Sequence, residues 1–472
     1  MSIPAFAVVG RPNKGKSSIV ATLARDTNVY IDAKAGSTKS AHRFPMKIDG
    51  ETLYELVDTP GIQRARSVVE WLNQQQVDAS ERPATVARFV AEHKTDARFR
   101  DECQMLQPII DGAGIIYVVD GSCPYGAEYE AEMEILRWTG QPSLAVINPI
   151  ESSEFVEDWK VGLGQFFRTV RVFDAHRAEP EKQLELLELF GHLDPGWKTS
   201  LSRAVTVLRE DRLLAHETAA YLITDLIIDA LTYQVEQNIP DGVPEQQVRK
   251  MLSLRYKIHL EQRERQTRRQ IEELYNHGDL DKTDRQREPE ESDLFNVEDW
   301  YLWGLRKWQL VSLSAAIGLL TGGAAGVAFD AVHLGTLGAP GTIISGIGGA
   351  ATGAAGSWFY ADRIAKLKIM GIPSGGKRCI YGPTKNVNFP FVLLGRSLWY
   401  QQIVSNRAHA NRESINVNQS ALENFAEGDL LSLGKLFAKI QIGKTPKENR
   451  QALSQMLIRW CKAVDEPSRA AE

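Results

Sequence analysis

Ala5-Phe-Ala-Val-Val-Gly10-Arg-Pro-Asn-Lys-Gly15-Lys16-Ser17-Ser18 is the stretch that decides how the first part of this chain folds. An apolar run of strand length ends at Gly10 and a helical pattern starts at Ser18, with G-x-x-x-x-G-K-S between them. Glycines let such a loop curl until successive backbone N–H groups converge on a phosphate, and the positive end of the following helix adds to that field. Gly10, Asn13, Lys14, Gly15, Lys16, Ser17 and Ser18 are therefore the expected phosphate cradle. Lys16 is placed to neutralise the β- and γ-phosphates, and Ser17 offers its hydroxyl to Mg²⁺. Strand, loop and helix in this order make a chance glycine turn a poor alternative.

Working outward, Leu53-Tyr-Glu-Leu-Val-Asp58-Thr-Pro-Gly61 reads as a strand ending in D-x-x-G. Asp58 there reaches Mg²⁺ through water, and the Gly61 N–H senses the γ-phosphate. Thr38, in Gly36-Ser37-Thr38, is the expected second hydroxyl ligand, so the metal set is Ser17, Thr38 and Asp58. Together they describe a switch that the γ-phosphate orders and its loss releases. Further short apolar runs at 43–48, 115–119, 144–147 and 170–173 alternate with helical patterns. That alternation predicts an α/β P-loop fold with a mostly parallel sheet.

The glycine loop, the Ser-Thr pair and Asp58-Thr-Pro-Gly resemble the TrmE-Era-EngA class of translation-factor-related GTPases over about the first 195 residues. The full layout resembles bacterial GTPases of that class with a C-terminal domain of unknown function. The resemblance implies GTP binding and hydrolysis to GDP and phosphate, with Lys16, Thr38, Gly61 and Asn13 as the residues acting on the reacting phosphate. Guanine readers of this class carry N-K-x-D after the fifth strand; here Asn148-Pro-Ile-Glu151 stands there, with Pro149 for Lys and Glu151 for Asp. Asn148 and Glu151 are the expected base contacts, and Ala175 offers a backbone N–H to guanine O6. Relaxed or adenine-tolerant binding is the competing expectation. The residue after Gly61 is Ile62, where Ras-like enzymes place a water-orienting Gln. The class resemblance implies that Asn13 instead helps hold K⁺ as a charge stabiliser; Asn13 as a loop brace and Gln63 as the polar substitute are the alternatives.

At 472 residues the chain is long enough for two or three domains, and 43% hydrophobic with 24% charged residues describes a folded protein. A net charge of −5 gives no global attraction to nucleic acid or anionic lipid. Cys103, Cys123, Cys379 and Cys461 form no close metal-binding pair and read as reduced thiols. Met1-Ser-Ile-Pro-Ala-Phe lacks a basic n-region and apolar h-region, which predicts a cytoplasmic nucleotide end. The expected division is a P-loop GTPase domain at 1–195, a helical region at 196–300, a Gly-rich hydrophobic hairpin at 301–370 and a mixed, helical region at 371–472. Asp194-Pro-Gly196 is the break after the first of these, and 200–237 has helical apolar spacing.

The segment 62–114 is longer than a loop-helix connection needs, which predicts extra helices at 68–76 and 85–93 beside the switch and a surface for a protein partner. A long helix at 245–277 carries Arg249, Lys250, Arg255, Lys257, Arg263, Arg265, Arg268 and Arg269 against Glu261 and Glu264. It reads either as a solvated face or as a surface for phosphate and lipid headgroups. The stretch 279–299 reads as an acidic linker.

Two charge-free stretches, 310–329 and 341–360, each have the length of a bilayer span and carry small residues every fourth position. Arg306, Lys307, Arg363, Lys366 and the tryptophans Trp303, Trp308 and Trp358 flank them at one end. The expectation is a switch whose helical region docks on the inner face of the cell membrane; a buried helix pair in a soluble domain is the alternative. A soluble GTPase acting on RNA or the ribosome is the runner-up function, although no RNA-binding module or basic GxxG loop is visible. A nucleotide-gated scaffold with little hydrolysis is the third.

Overall fold

The computed structural model describes residues 3–25, 40–48, 50–239, 242–277, 378–411, 427–443 and 447–463. Thr38, the acidic stretch 279–299 and the hydrophobic stretches at 310–329 and 341–360 lie outside them. Among the described residues no helix is long and apolar enough to cross a membrane.

Six strands form one sheet in the order β2-β3-β1-β4-β5-β6: β1 (Ala5–Val9), β2 (His42–Ile48), β3 (Glu51–Asp58), β4 (Gly114–Asp120), β5 (Ser143–Asn148) and β6 (Val170–Val172). Only β2 runs antiparallel, paired to β3; the rest are parallel, as crossover helices require. Alternation along β1 sends Phe6 and Val8 to one face and Ala7 and Val9 to the other, and each pair joins a separate apolar core. The first core holds α1 (Lys16–Ala24), α7 (Pro180–Gly191) and the start of α8 (Pro195–Thr232). The second holds α2 (Ala65–Gln74), α3 (Arg82–His93), α4 (Arg100–Ile110), α5 (Glu130–Trp138) and α6 (Val156–Leu163). The parallel α/β reading is thus correct. The extra helices beside the switch are present, with α4 as a third that its mixed sequence does not announce.

Asp194 caps α8 by accepting from the Gly196 N–H at 2.6 Å, with Pro195 at the first helical position, so the break is a helix start. The 38 residues of α8 span about 57 Å. Leu201, Ala204, Val205 and Leu208 pack on the sheet, whereas Ala215 through Leu231 enter a second body. That body is a helical bundle of α8, α9 (Glu245–Leu274), α10 (Phe389–Asn406), α11 (Glu427–Gln441) and α12 (Lys447–Lys462).

Two expectations need correction. The helix expected over 200–237 ends at Thr232, because Tyr233 turns extended and β7 (Val235–Asn238) pairs antiparallel with β8 (Arg378–Tyr381) far along the chain. The basic helix uses part of its charge on partners within the protein, while Arg249, Lys250 and Arg269 stay exposed: Arg263 pairs with Asp229 at 3.2 Å, Arg268 with Glu264 at 2.9 Å, and Arg255 donates to Gln237 at 3.2 Å. An ion pair with a partner already in place leaves little to offer a headgroup.

Candidate nucleotide site

The site lies at the carboxyl ends of the parallel strands, where an open α/β sheet binds ligands. Backbone geometry there demands glycine. Gly10 has φ +140°, and a Cβ on it would meet the Val118 carbonyl oxygen at 2.4 Å; Gly15 has φ +81°, and its Cβ would meet Asn148 Nδ2 at 2.1 Å. Asn13 stands at φ +60°, a left-handed conformation Asn tolerates. The D-x-x-G segment closes onto the loop: a Cβ on Gly61 would meet Pro12 at 2.6 Å, and the Ile62 N–H donates to the Gly10 carbonyl at 3.3 Å.

Lys16 begins α1, only 7% exposed, and its ammonium donates to the Arg11 carbonyl at 2.8 Å. Burial pushes its pKa down to about 8, against the pull of Asp58 and Glu132. A phosphate on the loop would replace the carbonyl as its partner and favour its charged form. The Ser17 hydroxyl donates to Asp58 Oδ2 at 2.8 Å, and Asp58 is 4% exposed. A hydroxyl and a buried carboxylate that converge beside a phosphate loop suit a hard divalent cation, so Ser17 and Asp58 fit Mg²⁺. Ser18 is buried in the same turn. Asn13 is exposed at the mouth of the loop, and its side chain makes no hydrogen bond to a described residue.

On the base side, Asn148 is fully buried and ties two loops together: Nδ2 donates to the Lys14 carbonyl at 3.5 Å, and Oδ1 accepts from the Ala175 N–H at 3.2 Å. Its bracing role follows the expectation. The Ala175 expectation does not, because that N–H is already held by Asn148 and is not free for guanine O6. Glu151 is exposed in the loop after β5, beside Asn148 in sequence. Gln63 is also committed elsewhere, its amide donating to Asp101 at 2.8 Å.

Several site residues escape a reading of the sequence. Arg11 Nε donates to Glu132 Oε1 at 2.5 Å, its guanidinium lies 4.2 Å from the centre of the Tyr129 ring, and Tyr117 donates to the same carboxylate at 3.0 Å. Burial raises the Glu132 pKa, with Arg11 and Tyr117 opposing it. Lys14 donates to Asp120 Oδ2 at 3.2 Å and Cys123 Sγ at 3.3 Å. Burial lowers its pKa, but these two partners outweigh that and hold it above the usual value. The Arg11 and Lys14 contacts join residues more than a hundred positions apart, and no local motif signals them.

Residues 5–148 match the model described as 50S ribosome-binding GTPase, and residues 162–459 match the one described as domain of unknown function, DUF3482. The chain belongs to the DUF3482 family. Its N-terminal part is an Era/Der-like P-loop GTPase domain. The GTPase Der of Paraburkholderia phymatum is 26% identical over 165 residues, 34% of this chain and 31% of that protein. That of Lactobacillus delbrueckii subsp. bulgaricus is 39% identical over 101 residues, 21% of this chain and 23% of that protein. The DUF3482 chain therefore spans about a third or less of these relatives. Among solved structures, Era of Aquifex aeolicus with GDP·AlF₄⁻ is 16% identical at a TM-score of 0.27, covering 52% of this chain and 76% of that one. Era with MgGDPNP and a segment of 16S ribosomal RNA is 16% identical at 0.28, covering 58% and 90%.

Proposed function

We propose that this DUF3482 protein is a GTP-hydrolysing switch whose nucleotide state is passed to the helical bundle. The observation that carries it is the glycine loop at the strand ends with Lys16, Ser17 and buried Asp58 beside it. Lys16 binds and neutralises the terminal phosphates, and Ser17 and Asp58 hold Mg²⁺, the ion this GTPase family generally uses. Mg²⁺ supplies charge neutralisation on the phosphates when bound. Thr38 completes the cation set in this reading, and the Gly61 N–H reports the γ-phosphate. Asn148 fixes the base loops, and Glu151 is the acceptor for guanine N1–H and N2 in the place where the class has Asp. Exposed Asn13 supports K⁺ at the loop mouth.

Two connections support transmission. α8 belongs to both cores, and the Thr22 hydroxyl on α1 donates to the Ala175 carbonyl at 2.8 Å while accepting the Ala410 N–H at 3.3 Å. The base loop and the segment after α10 thus share one side chain. The membrane-docking reading of 310–360 rests on its charge-free, small-residue sequence with basic and Trp flanks.

The test is phosphate release by the full chain. GTP should be turned over in preference to ATP, and faster in K⁺ than in Na⁺ at equal ionic strength. Release from neither nucleotide would leave a binding scaffold; equal release from both would remove Glu151 as the base reader. In the same preparation, co-sedimentation with anionic vesicles tests the docking arm, which fails if the chain stays in the supernatant with GTP and with GDP.

A further inference from the structure

Between the phosphate loop and the start of α2 lies an open cleft of about 680 Å³. One wall is Arg11, Pro12, Glu128 and Glu132; the other is the segment 62–67. Water must attack a γ-phosphate in line with the bond that breaks, on the side that the D-x-x-G segment flanks. This cleft is on that side, and transition-state charge developing there needs a donor.

Apart from the K⁺ that the reading above places at Asn13, the other donors among the described residues of this cleft are absent or engaged. Ile62 is apolar and 2% exposed. Gln63 gives its amide to Asp101, and Arg11 is held by Glu132 and the Tyr129 ring. Arg64 and Arg66 remain: both are exposed on the cleft wall, and neither guanidinium has a hydrogen bond or ion pair with a described residue. Arg64 differs from Arg66 in how its backbone is fixed. Glu102, 1% exposed, accepts the Arg64 N–H at 2.7 Å and the Gln63 N–H at 3.0 Å, which pins the N-cap of α2 to α4. A buried carboxylate anchoring the root of a free guanidinium is the arrangement expected of a preorganised cationic donor.

We propose that Arg64 is a catalytic residue supplied in cis, donating to the oxygens of the γ-phosphoryl group as it transfers. The inference rests on the GTPase reading above. In the step, the water oxygen forms the new bond to phosphorus and the bond to the bridging oxygen breaks. Its electron pair goes to GDP, and the water proton ends on the released phosphate. Arg64 carries no proton; it offsets charge. Switches with an arginine in cis turn over on the order of 10⁻² per second against on the order of 10⁻⁴ for unassisted ones, a ratio of roughly 100-fold.

The experiment is single-turnover hydrolysis by the full chain saturated with GTP, for wild type, Arg64→Ala, Arg64→Lys and Arg66→Ala, with fluorescent-GTP affinity measured alongside. Arg64→Ala should lower the rate by about 100-fold with GTP affinity retained. Arg64→Lys should not restore it, since a lysine lacks the planar fork, and Arg66→Ala should stay close to wild type. GDP–aluminium fluoride should bind wild type more tightly than Arg64→Ala. An Arg64→Ala rate equal to wild type, or an equal loss in Arg66→Ala, overturns the assignment while leaving the GTPase reading intact. A wild type that binds GTP but releases no phosphate overturns both.

Discussion

Buried charge is used in opposite ways in the two halves of this molecule. In the sheet half it collects at one edge: Lys16, Asp58, Asp120 and Glu132 are all nearly inaccessible and all border the phosphate loop or the strand ends beside it. In the helical half it lies inside the bundle. Glu264 accepts from Arg396 Nε at 2.7 Å and from Arg268 at 2.9 Å, and His216, Tyr275 and Gln401 share a buried hydrogen-bond network. The first set surrounds the phosphate loop, whereas the second lies between helices of the bundle. Burial of charge alone therefore does not mark a site; the direction in which the groups converge does.

The largest effect expected from breaking this contrast is in the bundle. Arg396 and Glu264 are both below 10% exposed, so Arg396→Ala leaves a buried carboxylate with only Arg268 and should cost about 3 kcal/mol of stability. Urea unfolding reads it. Arg203→Ala, which breaks an exposed pair with Glu51, is the companion measurement and should change stability little. Equal effects would mean that the bundle network is no more than surface decoration.

A smaller effect lies where the halves meet. His277 and His409 stack at 4.3 Å beside Leu23, Arg25 and Tyr54 of the sheet half, around a cavity of about 30 Å³ with room for one water. Burial, then Arg407 and Arg25, push the His277 pKa from 6.5 down to about 4, and burial with His277 pushes His409 well below its usual value. A depressed histidine pKa means that the unfolded chain binds the proton more readily. The stability involved is complete above about pH 6.5 and is lost as pH falls toward 4. By pH 5.5 the loss from His277 should be about 1 kcal/mol, read as a fall in melting temperature from pH 7 that His277→Leu reduces.

How much of this was legible follows the same division. The strands, the loop glycines, Lys16, Ser17, Asp58 and the brace at Asn148 are visible because alternation and motif spacing act over a few residues. β7 is not, since its partner β8 is remote in sequence and a four-residue strand carries no periodic signal. The fate of the α9 charges is hidden too, because Asp229 reaches Arg263 and Arg396 reaches Glu264 from other helices. Ala175 fails for a subtler reason. Its loop is in the expected place, but its N–H has a competitor in the same Asn148 that the motif supplies.

The central claim is that 10–18 with Asp58 is a working triphosphate site, and Lys16→Ala tests it most directly. In a fluorescent-GTP titration of the full chain, wild type should bind, and the variant should lose affinity by at least about 100-fold, as expected for removing a charged contact to phosphate. Its thermal unfolding without nucleotide should stay close to wild type, because the Lys16 ammonium hydrogen-bonds a loop carbonyl and no side chain of a described residue. Equal affinity in the two proteins would contradict the account and place the nucleotide elsewhere.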